Sequence, residues 1–184
     1  MLITLLINNC GEKWGMSKII YTFTVGKNIR LIMSTFIGKY EAKADVKGRV
    51  FIPSVYRKIL PEGERDRLVM RKDADNDCLI LYPESIWNKK IEELKANLDE
   101  WDAEDQLLLM QFVSDAEWLD IDSQGRVLIS RKYLGVIGIE NNEVLFVGMM
   151  DRFAVWGRSR YQQAMLSASD FAVKLKEKMT KKTE

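Results

Sequence analysis

FIGKYEAKADVKGRVFIPSVYRKIL, residues 36–60, is written again in altered form as FVSDAEWLDIDSQGRVLISRKYLGVI, residues 112–137. Both stretches contain D-x-x-G-R-V-x-I. Asp45, Gly48, Arg49, Val50 and Ile52 of the first copy match Asp122, Gly125, Arg126, Val127 and Ile129 of the second. The separation is constant at 77 (122 − 45), and Tyr56 with Tyr133 keeps it. A repeat of this size, at fixed offset, means one structural unit packed against its twin.

The pattern inside each copy predicts its local structure. A strand leads in over 36–43 and again over 116–121, and an Asp-x-x-Gly turn reverses the chain. Gly48 and Gly125 supply the positive φ that a tight turn needs, while Asp45 and Asp122 hydrogen-bond the turn's own backbone. A strand R-V-x-I leads out. A short helix follows at Pro53-SVYRKIL, with SRKYLGVI as its equivalent and Ser130 where the first copy has Pro53. Two more strands close each unit: RLVMR and CLILYP in the first, NEVLFVGM and FAVWG in the second.

Helical spacing takes over after each unit. Trp87, Ile91, Leu94 and Leu98 recur on one face, and a second helix over 104–113 joins the copies. Tyr161, Met165, Ala168, Ala172, Leu175 and Met179 predict one continuous final helix, frayed in the run KEKMTKKTE. These stripes read as core or subunit-packing surface rather than as cofactor sites. The order β-turn-β-helix-β-β, twice, predicts an antiparallel sheet closed into a small barrel with an internal two-fold axis. The division expected is 33–110 for the first repeat and 111–184 for the second.

Composition narrows the function. The 184 residues include 47% hydrophobic and 30% charged, ordinary for a globular protein. No histidine is present, which removes His-based acid–base catalysis, His-paired nucleophiles and His-ligated zinc. Cys10 and Cys78 lie far apart without metal-ligand spacing, and two cysteines so placed point to a reducing cytoplasm rather than a disulfide framework. No cofactor, metal, membrane or small-molecule substrate is indicated. The net charge of +1 does not by itself announce a nucleic-acid partner, so such a partner requires a local basic surface or one repeated by oligomerisation.

Residues 1–32 stand apart. They show no sustained period, and MLITLLI is too short for a membrane span. They carry Lys13, Lys18, Lys27 and Arg30 against Glu12, a charge of +3, leaving −2 for the remainder (+1 minus +3). Strand patterning begins after Met33, so the segment reads as an upstream-start extension, with a genuine added strand or arm as the alternative.

The candidate binding residues sit at the turns. Arg49 and Arg126 follow the turn glycines, where a guanidinium fork would extend from a hairpin tip toward guanine O6 and N7 in a major groove wide enough for a β-ribbon. Lys39, Lys43 and Lys47 would share one strand face and suit phosphate contact. Equally, each arginine could pair with its own Asp45 or Asp122 and lock the turn. Asp115, Glu117, Asp120 and Asp122 make the second copy's lead-in acidic, which weakens it as a DNA surface.

GKYEAKADVKGRVFIPSVYRKIL, CLILYPESIW and DSQGRVLIS resemble the MraZ family, bacterial regulators associated with the division and cell-wall gene cluster. The resemblance covers about Met33 to Tyr161, with both D-x-x-x-R motifs intact; the extension over 1–32 is not part of the family pattern. It implies an α+β, mainly β fold: tandem swapped-hairpin units like those of AbrB and MazE, forming a pseudo-two-fold double-psi-type β-barrel with appended helices. It further implies a ring-shaped homo-oligomer in the cytoplasm, associated with the nucleoid, binding double-stranded DNA at direct repeats upstream of its own operon. The DNA contact would fall on Arg49 and Arg126.

Two other classes compete. An antitoxin-like module would neutralise a protein partner through its C-terminal segment. An enzyme could pair Asp45 with Asp122 as a carboxylate dyad, although the neighbouring arginines should keep both ionised.

Overall fold

The computed structural model describes residues 35–180; the extension over 1–32 and the last residues of the basic tail lie outside them. Among the described residues eight strands form two sheets. The strands are β1 (Lys39–Lys43), β2 (Arg49–Phe51), β3 (Arg67–Lys72), β4 (Cys78–Tyr82), β5 (Ala116–Asp120), β6 (Arg126–Leu128), β7 (Glu143–Met149) and β8 (Arg152–Gly157). The larger sheet runs β1-β7-β8-β4-β3-β5, and β2 pairs with β6 in a separate ribbon. All pairings are antiparallel.

The repeats exchange strands. β1 of the first copy pairs with β7 of the second, Lys39 opposite Val147 and Lys43 opposite Glu143. In return β5 of the second copy pairs with β3 of the first, Arg67 opposite Asp120. The register reveals the internal axis. In the ribbon Val50 faces its own counterpart Val127. In the large sheet Ile80 faces Ala154, and these too are counterparts. There the offset is 74, because five residues join β3 to β4 and two join β7 to β8 (77 − 3).

Six helices are present among the described residues: α1 (Ser54–Ile59), α2 (Glu84–Asn97), α3 (Ala103–Ser114), α4 (Arg131–Val136), α5 (Arg158–Ala164) and α6 (Ala168–Thr180). Pro53 precedes α1, where its missing N–H costs nothing and its φ of −49° leads into the first turn. The continuous final helix expected from the apolar stripe is broken. Met165 is extended at ψ 138°, ending α5. Ser167 then starts α6 by accepting the Asp170 amide at 3.1 Å while donating to the Asp170 carboxylate at 2.7 Å. This reciprocal cap outweighs the stripe's periodicity. The helix continues through Lys176–Thr180, so the start of the basic run is ordered rather than frayed.

Two cores lie on opposite faces of the large sheet. The inner one gathers Val50, Ile52, Tyr56, Leu68, Leu79, Val127, Ile129, Phe146 and Phe153 between the sheet and the ribbon. Tyr56 is its centre, with ring centroids 5.3 Å from Phe36, 5.1 Å from Tyr40 and 5.1 Å from Phe153. On the other face α2 and α3 lay Trp87 and Phe112, stacked at 5.5 Å, against Tyr82 and Ile80. Strand alternation drives this division: Leu79 and Leu81 face inward while Cys78, Ile80 and Tyr82 face the helices. Burial pushes the Cys78 thiol up to about 12, so it is a packing residue.

Candidate nucleic-acid interface

The two D-x-x-x-R turns have the same internal geometry. The Asp45 amide donates to the Arg49 carbonyl at 2.9 Å and the Gly48 amide to the Asp45 carbonyl at 2.9 Å. Asp45 Oδ1 accepts from the amides of Lys47 (2.8 Å) and Arg49 (2.9 Å), while Oδ2 takes Arg49 Nε at 2.6 Å. In the second turn Asp122 Oδ1 accepts from the amides of Gln124 and Arg126, both at 2.9 Å. Its Oδ2 takes Arg126 Nε at 2.8 Å and Nη2 at 2.7 Å. Each aspartate therefore organises its turn and orients its arginine.

Electrostatics follow from these bonds. The Arg49 amide and then its guanidinium favour the charged form of Asp45 and hold its carboxyl down at about 2. Asp122 is lowered likewise, first by the Arg126 side chain. Both carboxylates stay ionised and committed to their own turns, which is not the shared-proton arrangement of a catalytic dyad.

The glycines are required twice over. Gly48 and Gly125 have φ of +87° and +82°. A Cβ on Gly48 would meet the Ile129 carbonyl oxygen at 2.4 Å, and one on Gly125 would meet Arg57 Nη1 at 2.5 Å. The turns are also stitched to each other's repeat. The Ile129 amide donates to the Gly48 carbonyl, and the Ile52 amide to the Gly125 carbonyl, each at 3.0 Å.

The ribbon carries both arginines on one face. Val50 and Val127 are buried, so alternation turns Arg49, Phe51, Arg126 and Leu128 outward. Arg49 lies opposite Leu128, and Arg126 opposite Phe51 with its guanidinium 5.6 Å from the ring. The arginines thus occupy diagonal corners, about 7–8 Å apart.

The lysines are placed differently. Strand β1 ends at Lys43, and Lys47 sits in the turn itself, so alternation does not carry it onto the face of the other two. Lys39 lies 5.3 Å over the Tyr161 ring, and Lys43 pairs with Glu143 at 3.7 Å. Arg158 bridges Glu41 at 3.3 Å and Glu143 at 3.8 Å beside them. Lys39 and Lys43 therefore belong to a mixed-charge surface against α5, and Lys47 alone accompanies Arg49.

Residues not foreseen in the sequence complete the surface. Arg57 donates from Nε to the Ile52 carbonyl at 3.2 Å, and Arg131 from Nη2 to the Val46 carbonyl at 3.1 Å. Arg57 also lies against Gly125, so each of the two supports the turn of the opposite repeat. Phe51 and Leu128 are more than half exposed. Exposed apolar side chains also line α3 (Leu107, Leu108, Met110) and α6 (Phe171, Val173, Leu175, Met179). No helix among the described residues is long and apolar enough to cross a membrane.

Comparison with known proteins matches this architecture. The model of the MraZ protein family, described as antitoxin-like, matches residues 35–109 and again 112–182. The two matches start 77 residues apart (112 − 35), the offset of the internal repeat. A Bacteroides fragilis protein named transcriptional regulator MraZ is 44% identical over 147 residues, covering 80% of this chain and 92% of its own. Its namesake from Bacteroides thetaiotaomicron is 43% identical, covering 80% and 94%. One from Acetivibrio thermocellus is 31% identical, covering 78% and 96%. With the paired turns in place and the family matched along both repeats, the chain belongs to the MraZ family.

Proposed function

We propose that this protein is a DNA-binding transcriptional regulator, not an enzyme, that reads duplex DNA with Arg49 and Arg126 on the outer face of the β2–β6 ribbon. The observation that carries the reading is the placement of both arginines on one exposed face, each oriented by an aspartate. Their backbone positions, diagonal across the ribbon, stand about two base-pair steps of 3.4 Å apart. An arginine held in this way enters the major groove with its geometry already fixed, and Phe51 and Leu128 beside it suit contact with thymine methyls. Lys47 supplies phosphate contact at the first turn, with Lys39 and Lys43 as the outer basic positions. The relatives' name, transcriptional regulator, supports the same assignment.

The strand exchange between repeats supports a tandem swapped-hairpin barrel of the pseudo-two-fold, double-psi type. The two units are taken as 33–110 and 111–184. The uncovered apolar residues of α3 and α6 support a homo-oligomeric ring. A ring of near-neutral subunits gains a basic rim by repetition, and its evenly spaced turns fit direct repeats through effective concentration. The operator lies upstream of the protein's own division and cell-wall gene cluster, in a cytoplasmic, nucleoid-associated setting.

Footprinting on that upstream DNA, beside native mass spectrometry of the protein, tests this. Protection of evenly spaced repeats by a closed oligomer is expected; a monomer protecting no repeats overturns it. The antitoxin-like reading is favoured by one observation, the exposed apolar face of α6. Removal of residues 165–184 decides between the two, since it breaks the ring if α6 packs between subunits and leaves the ring intact if α6 serves a different protein.

A further inference from the structure

The second turn stands on an acidic strand, yet the fold surrounds it with cations from the other repeat. A cleft of about 360 Å³ is bounded by Arg57, Lys58 and Arg65 on one side and by Asp122, Ser123 and Gly125 on the other. The exchange that places each short helix under the opposite turn creates this neighbourhood. Arg57 lies beneath Gly125, and Leu134 occupies the equivalent place beneath Gly48, 77 residues on (134 − 57). The counterparts of Lys58 and Arg65 at that offset are Gly135 and Asn142, so the cluster exists beside the second turn alone.

We infer that Arg57, Lys58 and Arg65 of the first repeat, together with the Asp122–Arg126 turn, form a composite cleft that binds a backbone phosphate of duplex DNA. The inference rests on the DNA-binding reading above and gives the second turn an electrostatic means of taking part in it. Lys58 and Arg65 are exposed, as an approaching phosphate requires. Ser54 and Ser123 line the same cleft and offer hydroxyl donors. The carboxylate facing the cleft, Asp122, is neutralised by Arg126 at 2.7 Å. Glu64, from the segment between Lys58 and Arg65, is turned away toward the amide and hydroxyl of Ser85, both at 3.1 Å. Among the residues lining the cleft, three cations stand against one paired carboxylate. The first turn is equipped differently, by its own Lys47 and by Arg131 from the second repeat, whose Nη2 donates to the Val46 carbonyl.

The test is a DNA titration of the full chain over a salt series, comparing wild type with Lys58→Gln/Arg65→Gln. Arg57 is spared because it packs under Gly125. Lys89→Gln/Lys95→Gln, on exposed positions of α2, makes the same change in net charge away from the cleft. The cleft variant should bind all duplexes more weakly, with the slope of log K against log salt reduced by about 1 for each phosphate that is no longer neutralised. The α2 variant should keep the wild-type slope. Wild-type binding with an unchanged slope in the cleft variant, or an equal weakening in the α2 variant, overturns the cleft alone. Failure of wild type to bind DNA at low salt removes the DNA reading and the cleft together.

Discussion

The Gly48 carbonyl accepts the Ile129 amide at 3.0 Å, so the first turn is bonded to the strand end of the second repeat. The Ile129 carbonyl lies so close that no side chain fits on Gly48. Gly48→Ala therefore strains the backbone at φ +87° and forces two main chains apart. It should destabilise the fold by about 2 kcal/mol or more, measured by denaturant unfolding. At Gly125 the obstacle is instead the Arg57 side chain. Adding Arg57→Ala should recover part of the stability that Gly125→Ala removes, and it should recover none in Gly48→Ala. Equal recovery in both contradicts the exchanged packing.

Acid should loosen the turns before it unfolds the sheets. Above about pH 5 the Asp45 carboxylate is ionised in both folded and unfolded chains, and its stabilisation of the turn is complete. As the pH falls through the ordinary value of 3.8, the unfolded chain takes a proton that the folded turn still refuses. The contribution then declines progressively until about pH 2. Asp122 is shifted in the same direction. Carboxyl ¹³C titration by NMR should show both midpoints below 3.8, and a midpoint for Asp45 near 4 contradicts the hydrogen-bonding scheme.

Tyr56 and Tyr133 hold matching places in the repeat but have different partners. Tyr56 donates to the Gly38 carbonyl at 2.8 Å, and Tyr133 to the Glu117 carboxylate at 2.8 Å. Tyr56 is fully buried, and Tyr56→Phe removes this bond while the Gly38 carbonyl keeps the Gly148 amide at 2.9 Å, so it should cost about 0.5–1.5 kcal/mol. Tyr56→Ala should cost about 3–5 kcal/mol through the cavity among Phe36, Tyr40 and Phe153. Burial raises both phenols to about 12, and ultraviolet titration should find both ionising well above the ordinary value of 10.

The uncovered face of α3 predicts a self-association phenotype. Leu107 and Met110 are 59% and 60% exposed, one helical turn apart. Leu107→Glu/Met110→Glu should shift the sedimenting species toward monomer with little change in the melting of the fold. Unchanged sedimentation would place the subunit contact elsewhere.

Much of this was legible in the sequence, and for identifiable reasons. The offset of 77 and the D-x-x-G-R-V-x-I pattern located the turns, because a positive-φ glycine and a turn-capping aspartate are local demands. The strands RLVMR, CLILYP, NEVLFVGM and FAVWG formed where alternating or continuous apolar residues required them. The break at Met165–Ser167 was hidden because one serine cap competes with a stripe of six apolar residues, and periodicity registers only the stripe. The neighbours of the second turn were hidden more deeply. Arg57 lies 68 residues before Gly125 (125 − 57), and only the exchange of elements between repeats brings them together. Alternation likewise could not place Lys47, since it holds only while the strand continues.

A fluorescence-anisotropy titration of duplex DNA from upstream of the gene tests the central claim most directly, comparing wild type, Arg49→Ala, Arg49→Lys and Arg126→Ala alongside their melting curves. Removing a bidentate guanine reader should weaken binding to the preferred sequence by about 1–3 kcal/mol while random duplex is affected less. Arg49→Lys keeps the charge without the fork, so it should retain the salt dependence and lose the sequence preference. Arginine variants that melt like wild type and bind the preferred duplex equally well would contradict the account, leaving the Asp–Arg pairs as locks of the turns and nothing more.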